Sequence, residues 1–324
     1  MATVPSFLSM PLPRVLVGQA WRRNRPLVVL VLGMLAVLAI ALIGLVIDPR
    51  VITGAPAWLK PAKFAISIAV YGATLLWMLT FLSDRPRLVM AVSWGVAITL
   101  GVEMVLIVMQ AARGVTSHFN QTTAFDGAVF SVMGASISAL WLLTALVAIV
   151  LMRRRFAVGP IVWGVRIGLI AGLIGMAVAF LMVRPTPEQE TLATTMGSSA
   201  PNGAHAIGVA DGGPGLPVVG WSTEGGDLRA PHFIGLHALQ VLSLLGIALV
   251  RYAPEWLSMR DRSQLVGIAG ISWIALTLLL TWQALRGQSI IAPDGVTLMA
   301  LGTLLGTATL GLTSVILRAR THAH

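Results

Sequence analysis

In the stretch RAPHFIGLHALQ, Arg229 to Gln240, two histidines and a glutamine stand at the opening of an apolar run. In GVEMVLIVMQAARG, Glu103 stands seven residues ahead of Gln110, two turns and about 10 Å away on the same helical face. A carboxylate and an imidazole at such a depth can pass a proton between them, or hold a metal together with a third donor. Helical geometry narrows the choice. His232 and His237 are five residues apart, about 140° around a helix, so they face different ways. His237 and Gln240 are about 60° apart and share a face. A single metal would therefore draw His237, Glu103 and His118 from three elements, a donor set that suits zinc or iron. His118 belongs to the loop TSHFNQTT, which also carries Asn120.

The elements that position these groups are membrane helices. Of 324 residues 56% are hydrophobic and only 10% charged, against about 25% charged in a soluble domain. There are no cysteines, which excludes disulfides, thiolate metal sites and cysteine nucleophiles. The net charge of +10 is not read as nucleic-acid binding, because no RNA- or DNA-binding motif accompanies it. In a bilayer protein, Lys and Arg set orientation instead. A helix needs about 20 apolar residues to cross the hydrocarbon core. Eight segments qualify: 27–47, 64–82, 88–110, 127–152, 160–183, 232–250, 264–285 and 296–317. The first follows WRRNRP without a small-residue cleavage site, so it reads as a retained helix.

With the N-terminus inside, 14 of the 22 basic residues fall in cytoplasmic segments and most acids fall outside. Both termini are expected in the cytoplasm. The expected organisation is a cytoplasmic segment 1–26, a first four-helix repeat 27–152, a second 153–317 and a cytoplasmic tail 318–324. Residues 184–230 form an external loop rich in Gly, Pro, Ser and Thr. A loop of that length is either a lid over the outer face or a free segment.

The repeat is textual. QAARG (Gln110–Gly114) returns as QALRG (Gln283–Gly287), FDG (Phe125–Gly127) as PDG (Pro293–Gly295), and KPAKF (Lys60–Phe64) as RAPHF (Arg229–Phe233). Two parallel four-helix halves are the expected fold, all-α and integral to the membrane. Much of the shared polarity is scaffold: Gly114 and Gly287 as C-caps, Asp126 and Asp294 as N-caps, Arg113 and Arg286 reaching for headgroups. Residues without a polar twin are harder to dismiss. Glu103 corresponds to Leu276, His237 to Ile68 and Gln240 to Tyr71; His232 corresponds to Lys63. Glu103 is the one acid well inside a span, and an ionisable group there costs several kcal/mol unless paired or wetted.

The paired four-helix layout and the QALRG and PHF phrases resemble the heme A synthase family of cytochrome oxidase assembly proteins. That resemblance implies histidine-ligated heme, with His232 as the span-six axial ligand. Lys63 takes the corresponding place in the first half, and spans four and eight carry no histidine. The phrases WLKPAKF and RGVTSHFN resemble bacterial integral membrane proteins, which implies a bacterial cytoplasmic membrane.

Three readings follow. In the first, an outward-facing polar site between spans two, three and six binds a redox cofactor, heme b or a divalent metal. His237, His232, His118, Arg113 and Gln240 would contact the cofactor, and Glu103 and His237 would carry the proton chemistry. In the second, the protein is a transporter or small-ligand binder using Lys63, Gln110, Asn120 and Asp126 as well. In the third, the same residues pack helices in a structural or assembly subunit. The bilayer is the one firm partner; complex partners or a homo-oligomer remain open.

Overall fold

The computed structural model describes residues 13–196 and 202–322. Residues 1–12, residues 197–201 of the long loop and the last two residues of the tail lie outside them. Eight helices are long and apolar enough to cross a membrane: α2 (Arg25–Ile47), α3 (Leu59–Met78, extended by a 3₁₀ turn to Leu82), α4 (Pro86–Arg113), α5 (Ala124–Met152), α6 (Gly159–Met182), α8 (Arg229–Tyr252), α9 (Met259–Leu285) and α10 (Gly295–Thr321). Two shorter helices, α1 (Pro13–Arg23) and α7 (Pro187–Met196), and two short strand pairs complete the described elements. The chain is a polytopic membrane protein.

The helices start where their prolines allow. Pro26, Pro86 and Pro160 stand at the first positions of α2, α4 and α6, where a missing N–H costs nothing. Several helices also begin earlier than hydropathy suggests. α3 starts at Leu59 rather than residue 64, and α9 at Met259 rather than 264. Their charged first turns extend the helix beyond the apolar run. Lys60 and Lys63 thereby become helical residues with fixed directions.

By its internal packing the chain divides into two compact units: Met1–His118 with Phe125–Leu143, and Phe119–Ala124 with Thr144–His324. In the first unit, α2 packs on α3 and α4. Asn24 caps α2 by accepting from the Leu27 amide, and its side-chain amide donates to Ser93 of α4 at 2.7 Å. After α2 the chain turns through a tight hairpin, β1 (Val51–Ile52) on β2 (Ala55–Pro56). Thr53 and Gly54 both take positive φ, as a type I′ turn requires. Asp48 fixes this corner, taking Arg50 and the Trp58 indole N–H. The Arg50 hydrogen bonds, then that of Trp58, hold its carboxyl well below the usual carboxylate range.

In the second unit, α6 and α8 meet backbone to backbone. A Cβ on Gly164 would lie 2.3 Å from the Leu242 carbonyl oxygen, and one on Gly175 2.6 Å from Gly235. Small residues permit such approach between membrane helices. α9 packs on both, its Trp273 indole donating to the Ile234 carbonyl at 2.8 Å. Two arginines close helix ends. Arg166 donates to the Arg154 carbonyl just past α5, and buried Arg262 to four carbonyls around the end of α8. Cations there satisfy orphan carbonyls and the helix dipole.

The described parts of the long loop are held by specific contacts. Thr186 and Gln189 form a reciprocal capping box at α7, and Gln189 goes on to bind both backbone groups of Gly203. β3 (Ala206–Ile207) pairs with β4 (Gly226–Asp227). Gly226 lies so close to the Ala284 carbonyl that no side chain would fit, and Ser289 donates to the Ser222 carbonyl. These contacts seat the loop on the end of α9.

Candidate functional site

Glu103 is fully buried on α4, and neither carboxylate oxygen has a hydrogen bond among the described residues. Its neighbour is His118, whose Nε2 lies 3.6 Å from Glu103 Oε1. That is an ion-pair distance, too long for a hydrogen bond. His118 reaches α4 because Gly114 ends the helix in the left-handed conformation, φ 74°, and turns the chain back. On the far side of the ring, Lys60 Nζ lies 3.1 Å from Nδ1, with the Ser117 hydroxyl at the same distance. The α3 register explains Lys60: as second residue of the helix it stands one turn before Phe64. The Phe64 ring lies under its ammonium, 5.9 Å to the centroid, and 6.1 Å from the imidazole. Phe130 of α5 closes the other side at 6.3 Å.

The partners set the tautomer. An ammonium only donates, so Nδ1 presents its lone pair to Lys60 and the ring proton sits on Nε2, toward Glu103. The row Lys60–His118–Glu103 therefore has a carboxylate at its buried end, with the imidazole N–H turned toward it across 3.6 Å. It suits a metal poorly. Ligation through Nε2 would need that proton moved to Nδ1, against an ammonium. Among the described residues no three His, Asp or Glu side chains gather as a ligand set.

The other expected site residues fall into separate groups. Gln110, Arg113 and Asp126 form one cluster. Asp126 is buried and accepts from Gln110 at 2.9 Å and from Arg113 at 2.6 Å, and Arg113 also donates to Gln110. Asp126 is not the N-cap expected of it: α5 starts two residues earlier, and the carboxylate reaches α4 instead. Asp294 does cap α10, accepting from the Thr297 amide at 2.8 Å, and Arg286 pairs with it at 2.5 Å. Asn120 accepts from the Thr122 amide and hydroxyl, a local turn in the second unit. Lys63 stands on α3, three residues past Lys60.

His232 and His237 lie on α8 in the second unit, whereas Glu103 and His118 belong to the first. His232 donates from Nδ1 to the Gly175 carbonyl at 2.7 Å. His237 stands edge-on to Phe233, ring centroids 4.3 Å apart, and its side chain hydrogen-bonds with that of Gln240. The Nδ1–H bond leaves His232 Nε2 with a lone pair, the tautomer of an axial ligand. The residues present do not complete a bis-histidine heme site, since α10 has no histidine to face it.

Two residues escape a reading of the sequence. Lys60 reads as a helix-end charge, and only the early start of α3 aims it at His118. His205 is the other. In the long loop its ring meets Asp211 at 2.6 Å, and Asp211 also accepts from the backbone amides of His205 and Ala206. Phe119, held at φ 61°, packs edge-on against the His205 ring at 4.9 Å. Burial pushes the Asp211 carboxyl up, but the His205 and amide hydrogen bonds outweigh it and hold the group at about 2. The sequence offers no signal for it beyond a histidine six residues ahead of an aspartate in Gly-rich text.

Comparison with protein-family models finds no match, and neither the curated proteins nor the solved structures return one.

Proposed function

We propose that the protein is a proton-coupled membrane carrier in which Glu103 takes up and releases the proton. One observation carries this: a carboxyl buried in a membrane-spanning helix has no hydrogen bond on either oxygen among the described residues, yet stands at the end of a histidine–lysine row. A charge in such a place costs several kcal/mol unless relieved, so it marks a working group rather than scaffold. The step balances. Lys60 gives a proton to His118 Nδ1 as the Nε2 proton passes to Glu103. This leaves a neutral amine, a neutral imidazole in its other tautomer and a carboxylic acid. Water then returns a proton to Lys60. Lys63, three residues along α3, supports a small anionic solute as the coupled cargo. The basic bias of alternate loops supports both termini in the cytoplasm and the row opening outward.

Infrared difference spectroscopy between acid and alkaline samples tests the reading. A carboxyl C=O band should appear on acidification and vanish in Glu103→Gln. An unchanged band in that variant rejects Glu103 as the proton site.

A second reading, a histidine-ligated cofactor at His232, is favoured by the Nδ1–H bond to Gly175. A reduced-minus-oxidised visible spectrum and elemental analysis of the purified protein test it. A featureless spectrum without bound metal removes it.

A further inference from the structure

A groove between α2 and α4 takes no part in the proton row. Its volume is about 800 Å³, within the range of small-molecule sites. Its walls are almost entirely apolar, with Trp21 and Arg25 at one end and Met109 toward the other. Gly33 of α2 and Gly101 of α4 line it, and a Cβ on either would meet nothing within 4 Å. In the α6–α8 pair glycines close a gap; here they leave a hollow.

Charge and length identify the occupant. Arg22, Arg23 and Arg25 cluster at the Trp21 end, and none has a carboxylate partner among the described residues. The first turn of α2 contains no acid. From Arg25 to Val37 the α2 wall runs twelve residue steps, about 18 Å of helix rise. One leaflet of hydrocarbon is about 15 Å, half of the bilayer core. The groove is thus one leaflet deep, apolar throughout and basic at its headgroup end.

We propose that this groove seats an acyl chain of an anionic phospholipid of the surrounding bilayer, with Arg25 at its headgroup phosphate. The site is independent of the Glu103 row, and neither depends on the other.

The test uses the full chain in neutral detergent, titrated with phosphatidylglycerol or with phosphatidylcholine of the same acyl chains. Phosphatidylglycerol should raise the melting temperature, phosphatidylcholine much less, and native mass spectrometry should retain one lipid. Gly101→Leu should abolish the phosphatidylglycerol shift, and Arg25→Gln should reduce it to the phosphatidylcholine level. Gly33→Leu fills the hollow from the other wall and serves if Gly101→Leu does not fold. Equal shifts from the two lipids overturn the headgroup assignment. A shift that survives both leucine variants overturns the groove. A lipid-free dimer broken by those same variants gives the groove to a second copy of the chain instead.

Discussion

The first unit's His118 and Glu103 and the second unit's His205 and Asp211 are the same chemical groups in opposite states. Asp211 is partly exposed, yet its oxygens take two backbone amides and a ring nitrogen. Glu103 is almost fully enclosed, yet its oxygens take no hydrogen bond among the described residues. The carboxylate with the least need of partners has the most. A satisfied acid in a loop is a fastening. On the proposed function, an unsatisfied acid inside a bilayer helix is tolerated because its charge changes during work, and any fixed set of donors would hold it in one state.

The largest expected effect separates the two pairs by function. Glu103→Gln should remove the carboxyl infrared band altogether while leaving the melting temperature equal or higher, since no hydrogen bond is lost. A clear fall in melting temperature would make Glu103–His118 a helix lock after all. Asp211→Ala should behave in the opposite sense. It strands the amides of His205 and Ala206, at a local cost of about 2 kcal/mol. Limited proteolysis should then cut residues 202–228 faster while the Glu103 band stays. Unchanged cleavage would show that the loop is held elsewhere.

Acid sharpens the contrast further. The Asp211 carboxyl is held at about 2 against an ordinary value of 3.8. Its contribution is thus complete above about pH 4 and is lost as pH falls toward 2. Hydrogen exchange across the loop should rise in that window; flat protection would contradict the latch. The smallest effect concerns the two helix ends that share the Gln-Ala-x-Arg-Gly text. Gly114 and Gly287 stand at φ 74° and 70°, so Gly114→Ala and Gly287→Ala should each cost about 1 kcal/mol. Unequal losses in melting temperature would break the likeness between the two ends.

The spans were legible because about 20 apolar residues in a row are seldom anything but a bilayer helix. Glu103 was legible for the converse reason, as an acid where acids are expensive. The rest depended on register and direction. Lys60 was missed because its role rests on α3 starting at Leu59, a boundary hydropathy places five residues late. Asp126 reads as a cap from local text, but its partners are Gln110 and Arg113, an earlier helix's last turn. His205 lies in a segment without periodicity, so no face or depth singled it out. The matching text aligned Arg113 with Arg286 and Asp126 with Asp294 but read the arginines as headgroup-seeking; each instead pairs with its aspartate, one buried and the other about a third exposed.

The glycine contacts of α6 and α8 have a mechanical meaning. With Gly164 against the Leu242 carbonyl and Gly175 against Gly235, no side chain stands between the two backbones at these two points. Side chains can change rotamer and let helices slide; touching backbones cannot. α6 and α8 therefore act as a single strut, and any alternating movement in this molecule must carry them as one piece. A single methyl group at Gly175 would work as a wedge, splaying the strut without touching any ionisable group.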